Sequence, residues 1–147
     1  MTTSRAPRST KHELILVVED EEDVRAYSAG LLRELGYEVI EAAEAAAALH
    51  VLETQTVDLL FADVGLPGLN GRQLADQARQ THPSLAVLFT TGYAKNAIVH
   101  NGILDSGVEM ISKPYSPHDL ARSVRRILDE RSDQRADRKS TRLNSSH

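Results

Sequence analysis

The chain's pattern begins at Leu14-Ile15-Leu16-Val17-Val18, an unbroken apolar run of strand length. Such a run suits a strand buried on both faces, as in a parallel sheet. Over residues 23–35 the period changes. Val24, Tyr27, Ser28, Leu31, Leu32 and Leu35 recur at helical spacing, and Gly36 stops the helix. Residues 37–40 read as a short strand. Residues 44–53 read as an Ala-rich helix with Ala45, Ala48, Leu49 and Leu52 on one face. Residues 57–62 form a third strand that ends at Asp63. The loop Val64-Gly65-Leu66-Pro67-Gly68-Leu69-Asn70-Gly71 is dense in turn formers. A helix follows to about Thr81 and is closed by Pro83. Residues 85–89 are a fourth strand, ending in Thr90-Thr91-Gly92. Residues 94–106 read as a weaker helix interrupted by Gly102, and residues 108–111 as a fifth strand running into Ser112-Lys113-Pro114. Ser116 then caps the last helix, with Pro117 at its first position and Asp119 completing a capping box. Leu120, Val124, Ile127 and Leu128 are its buried stripe.

Strand and helix thus alternate five times within about 120 residues. This predicts an α/β fold, a doubly wound five-stranded parallel sheet with five helices, its crossovers right-handed. Residues 1–11 are rich in Ser, Thr, Arg and Pro, lack apolar periodicity and read as a flexible leader. Residues 12–131 are the domain and 132–147 a disordered tail. Within that tail, residues 137–147 (DRKSTRLNSSH) read like a translated sequencing adaptor. They are expected to be a non-native scar, and fold reasoning excludes them.

Composition narrows the function. The length of 147 residues is that of one domain, and 41% hydrophobic with 26% charged residues is ordinary for a globular chain. No apolar run reaches the ~18–20 residues of a membrane span, and no apolar core follows the basic N-terminus as in a secretory signal. Cysteine is absent, which excludes disulfides and thiolate chemistry and fits a cytoplasmic location. The net charge of −4 conceals a segregation: residues 12–131 hold 10 basic and 19 acidic side chains, a net −9, while both ends are basic. A body this acidic argues against a nucleic-acid partner.

The polar residues that break the pattern collect where strands end. Glu19 and Asp20 follow the first strand, Asp63 the third, Thr90 the fourth and Lys113 the fifth. Parallel strands bring these ends to one edge, where open α/β sheets bind ligands. Three neighbouring carboxylates repel one another unless a cation is present. Oxygen ligands with room for water suit Mg²⁺. One carboxylate can then attack phosphorus to give an acyl phosphate. Lys113 and the metal would neutralise charge on the phosphoryl oxygens, with Thr90 donating a hydrogen bond. By contrast Glu21, Glu22 and Asp23 read as solvated acids of a helix's first turn. His12, His50, His82, His100, His118 and His147 show no ligand spacing and read as surface residues. Tyr93 and Tyr115 belong either to the core or to a partner-facing surface.

With these residues in view, the chain resembles the receiver domain of two-component response regulators, over about residues 12–131. Four signatures carry the likeness: Ile15 to Asp20 (ILVVED), Asp63 to Gly68, Thr90 with Gly92, and Lys113-Pro114-Tyr115. The resemblance implies a flavodoxin-like sheet and phosphorylation of Asp63. It implies direct ligation of Mg²⁺ by Asp20, action of Glu19 on the metal through water, and a third protein oxygen from the Gly65 carbonyl. Thr90 becomes the switch hydroxyl, Lys113 the partner of the phosphoryl group, and the Lys113–Pro114 bond cis. The phosphoryl donor would be a histidine kinase or phosphotransfer domain. The protein would catalyse its own phosphorylation and dephosphorylation without being a turnover enzyme.

Two positions depart from the family. Met110 stands where it often has Tyr or Phe as an aromatic switch, and Thr91 is bulkier than the alanine often found there. Two other readings compete. One is a receiver-like scaffold that is never phosphorylated. The other is an aspartyl phosphohydrolase, disfavoured because Gly65 occupies the position of its general acid. The style of the segment from Thr90 to Tyr115 resembles receivers at the C-terminus of hybrid sensor kinases. The sequence is therefore expected to be a stand-alone receiver or a piece of such a kinase, since the 16 residues after Arg131 are too few for a DNA-binding module.

Overall fold

The computed structural model describes residues 13–66, 68–91 and 108–130. In chain order the elements are β1 (Leu14–Val18), α1 (Glu22–Glu34), β2 (Glu38–Ala42), α2 (Ala45–Thr54), β3 (Leu59–Asp63), α3 (Gly71–Thr81), β4 (Ala86–Thr91), β5 (Val108–Ser112) and α4 (residues 117–130). The expected leader, the helix at 94–106, Tyr93 and the tail lie outside the described residues. Four of the five expected helices are therefore seen among the described residues.

All strand pairs are parallel and the order is β2-β1-β3-β4-β5. The strand order reverses between β1 and β3, so their carboxyl ends flank the crevice where such sheets bind ligands. Alternation along β1 divides the interior. Leu16 and Val18 pack with Ala48 and Leu52 of α2 and with Leu74 and Ala78 of α3. Ile15 and Val17 face the other way, onto Leu32 of α1 and Leu120, Val124, Ile127 and Leu128 of α4. Both faces of the sheet are covered, which is why its central strands read as unbroken apolar runs.

Several boundaries differ from the sequence reading, each for a visible reason. β2 runs on to Ala42 because the Glu19 N–H donates to the Ala42 carbonyl at 3.1 Å. Its polar Glu41 hid this, since that side chain points out to Arg25 and Arg33. β3 starts at Leu59 rather than 57, where the Asp58 carboxylate accepts the Leu14 N–H at 2.8 Å. Tyr27, one of the residues at helical spacing in α1, is 48% exposed, and the buried residues of that helix are Ser28, Ala29 and Leu32. Gly36, at φ 99°, ends α1 in a conformation that favours glycine. At α4 the Ser116 hydroxyl accepts the Asp119 N–H at 3.0 Å. A full capping box, not foreseen, starts α3: Asn70 accepts the Gln73 N–H at 2.9 Å, and Gln73 accepts the Asn70 N–H at 3.1 Å.

Candidate functional site

The register of the sheet sets the site. Asp63 is the last residue of β3 and lies beside Thr90 of β4, which in turn pairs with Ile111 of β5. Two further bonds hold the loops beyond the strands. The Val64 N–H donates to the Thr90 carbonyl at 2.9 Å, and the Lys113 N–H to the Thr91 carbonyl at 2.8 Å. Side chains distant in sequence are thereby delivered to one edge.

Lys113 links two of the acids. Its ammonium donates to Glu19 Oε1 at 2.9 Å and to Asp63 Oδ2 at 3.1 Å. Asp63 is held from its other oxygen by the Gly65 N–H, at 2.8 Å. Glu19 is buried and accepts the Glu21 N–H at 3.2 Å, whereas Asp20 is exposed. Oxygens of Glu19, Asp20 and Asp63 lie within 4.8 Å of one another. All four charged residues singled out in the sequence therefore meet.

The electrostatics follow from burial. Loss of solvent pushes the Glu19 carboxyl above its ordinary value, with the neighbouring Asp63 charge adding to the rise; the Lys113 hydrogen bond and the Glu21 N–H oppose it. Burial alone would lower the Lys113 ammonium, but its bonds to Glu19 and Asp63 outweigh that and hold it above the usual lysine value. One cation thus serves several carboxylates, an acid-rich set of hard oxygen donors. Such a set fits Mg²⁺, which takes one or two carboxylates and keeps several waters.

Thr90 completes the edge. It is buried, and its hydroxyl is the buried side-chain polar atom without a hydrogen-bond partner among the described residues. Gly65 puts no side chain over Asp63, although an added Cβ would make only ordinary contact, 3.6 Å from Oδ1. The Lys113–Pro114 bond is cis. Met110 is partly buried against the core that contains Phe89. Tyr115, left open between core and partner surface, is buried. It lies edge-on to Phe61 at 6.1 Å and shares a hydrogen bond with the Ser28 hydroxyl. His50 and His118 are exposed and His82 is half-buried, while the other histidines lie outside the described residues.

Sequence reasoning missed two residues around this edge. Arg25 donates from Nη1 to the Glu19 carbonyl at 2.8 Å. Its place one turn into an acidic helix start gives no sign of that bond. Gly71 approaches the Asp63 backbone too closely for any side chain. Its place at the end of a glycine-rich loop did not distinguish it from a turn glycine. Among the described residues no helix is long and apolar enough to cross a membrane.

Comparison with known proteins gives a consistent result. The family model described as response regulator receiver domain matches residues 15–125. The sensor kinase CckA of Brucella abortus is 36% identical over 118 residues, which cover 79% of this chain but only 12% of that protein. The response regulator receiver protein CpdR of the same organism is 30% identical over 114 residues, or 78% of this chain and 95% of CpdR. Among solved structures, the receiver domain of the hybrid histidine kinase CckA is 39% identical with a TM-score of 0.68, covering 78% of this chain and 98% of that one. A CheY-like receiver domain protein from Methanospirillum hungatei JF-1 is 30% identical with a TM-score of 0.75, covering 84% and 99%.

Proposed function

Because this chain belongs to the response regulator receiver domain family and so to phosphorylation-based two-component signalling, we propose that Asp63 is its phosphoacceptor, charged from a phosphohistidine in a Mg²⁺-dependent step. The donor is a histidine kinase or a phosphotransfer domain, and the location is the cytoplasm. One observation carries this reading. Lys113 reaches across the sheet edge to both Glu19 and Asp63, at 2.9 and 3.1 Å, although they lie 94 and 50 residues away in sequence.

In the reaction an Asp63 carboxylate oxygen attacks phosphorus. The new O–P bond forms as the P–N bond to the donor imidazole breaks, and the bond pair leaves with the imidazole, which takes a proton from solvent. Asp20 and Asp63, with the Gly65 carbonyl, are the residues that would hold the Mg²⁺, and Glu19 would act on it through water. When bound, Mg²⁺ supplies positive charge to the transferring phosphoryl oxygens. Lys113 neutralises part of the same charge. The Gly65 N–H holds the second Asp63 oxygen and so aims the first. The Thr90 hydroxyl, buried and otherwise unpartnered, gains an acceptor once a phosphoryl group is present. That differential contact favours a second conformation and so changes partner affinity.

The test is mass spectrometry after incubation with acetyl phosphate and Mg²⁺. Wild type is expected to gain one phosphoryl group and Asp63→Asn none. Equal labelling of the two would remove the assignment and leave a protein-binding scaffold as the reading.

A further inference from the structure

We propose that Arg25 is a positioning residue for the metal: braced by Glu41, its guanidinium fixes the Glu19–Asp20 peptide and so presents the Asp20 carboxylate to a divalent cation. The inference rests on reading the acid cluster as a Mg²⁺ site.

Asp20 is exposed, so packing does not orient it. Its direction depends on the peptide that precedes it. That peptide's carbonyl belongs to Glu19, and Arg25 Nη1 donates to it at 2.8 Å. Glu19 itself is held by the N–H bond to the Ala42 carbonyl at 3.1 Å and by its own carboxylate on the Glu21 N–H at 3.2 Å. With both sides of Glu19 tied, the Arg25 bond sets the remaining freedom, the plane from which Asp20 departs.

The brace is built from several parts. Arg25 Nε lies 3.5 Å from Glu41 Oε1, and the Arg25 side chain is only 18% exposed. The other Glu41 oxygen takes Arg33 Nη1 at 3.0 Å, and Arg33 Nη2 donates to the Val39 carbonyl at 3.1 Å. Helix α1 and strand β2 thus hold one guanidinium between them. A planar fork can serve a carbonyl and a carboxylate at once, which an ammonium on a flexible stem cannot do with fixed geometry.

Two effects of Arg25 on the metal oppose each other. A positive charge near the acids weakens cation binding, whereas orienting a ligand strengthens it. Removing groups that orient a metal ligand typically costs 10–100-fold in affinity, roughly. The Glu41 carboxylate beside the guanidinium offsets part of its charge, and positioning is the stronger effect.

The experiment titrates the full chain with MgCl₂ and follows amide chemical shifts, alongside thermal melts without metal. Arg25→Met and Arg25→Lys are expected to raise the Mg²⁺ Kd about tenfold. Glu41→Gln should act in the same direction by less. The acetyl phosphate labelling rate at saturating Mg²⁺ should return close to wild type, because the loss lies in metal affinity. Unchanged or tighter Mg²⁺ binding in a folded Arg25→Met overturns the proposal. Should that variant not fold, Glu41→Gln decides: wild-type affinity there overturns it equally. If wild type itself gives no shifts that Asp20→Asn abolishes, the metal-site reading fails and this inference with it.

Discussion

A Cβ placed on Gly71 would stand 2.5 Å from the carbonyl oxygen of Asp63, 3.0 Å from its carbonyl carbon and 3.1 Å from the Val64 Cα. These are backbone atoms and cannot swing aside. The first turn of α3 therefore rests directly on the peptide that follows Asp63, tied there by the Gly71 N–H to the Val64 carbonyl at 3.2 Å. The backbone of Asp63 and Val64 has little freedom to shift towards α3.

Gly71→Ala is accordingly expected to destabilise the fold by about 1–3 kcal/mol, the range for overpacking. Labelling of Asp63 should fall with it, since the carboxylate is displaced from Lys113. Gly30 supplies the control. It lies inside α1 with nothing within 4 Å of an added Cβ, so Gly30→Ala should stabilise by about 0.5–1 kcal/mol through helix propensity. Paired thermal melts check both. Equal effects of the two substitutions would contradict the contact.

Thr90 invites the opposite experiment. Its buried hydroxyl lacks a hydrogen-bond partner among the described residues, and an unmatched buried polar group is costly. Thr90→Val keeps the shape and removes the polar atom. The unphosphorylated variant should be about 1 kcal/mol more stable in denaturant titration. It should still accept phosphate on Asp63 but lose the phosphorylation-dependent change in amide shifts across β4 and β5. A variant that is destabilised, or that switches normally, removes Thr90 from the switch.

The central fold was legible because the sheet is covered on both faces. That forces β1, β3 and β4 to be apolar throughout, and their polar ends then stand out as Asp20, Asp63 and Thr90. β2 was harder to place, because an edge strand can carry outward charge. Glu41 looked like loop and is a strand residue clasped by two arginines. Tyr27 met the helical period yet is exposed, since period identifies a face and does not measure how far the neighbouring layer reaches. Arg25 and Gly71 were not legible at all. A guanidinium on a backbone carbonyl and a close backbone approach depend on tertiary distances that leave no residue pattern. Glu13 belongs with them: it is buried and receives two bonds from Arg125, at 3.0 and 2.9 Å, across most of the chain's length.

Mg²⁺ should stabilise the folded chain. The acids of the cluster repel, and burial makes Glu19 harder to ionise. A cation that binds only the folded form adds about 2.7 kcal/mol at a concentration of 100 Kd. Melting temperature should rise with MgCl₂ and fall back with EDTA. Asp20→Asn should remove most of that gain. Without metal the variant should be no less stable than wild type, because one like charge has gone. A Mg²⁺ effect of equal size in the two proteins would place the ion elsewhere.

Tyr115 predicts a particular alkaline behaviour. Burial is the main reason its phenol is held above the ordinary value of 10.0, with the Ser28 hydrogen bond acting in the opposite direction. A raised phenol means that the folded state keeps its proton after the unfolded chain has lost it. Stability from this group is therefore present in full below about pH 10 and drains away as pH rises through the folded value. Tyr37 and Lys113 are shifted in the same direction and contribute to the same limb. Tyr115→Phe should flatten the fall above about pH 10 without abolishing it. At neutral pH it should cost only about 1 kcal/mol, one hydrogen bond, because the Ser28 hydroxyl keeps its bond to the Val24 carbonyl at 3.0 Å. Melting temperatures of the two proteins across that range decide it. Parallel curves would mean that this phenol titrates alike in the folded and unfolded chain.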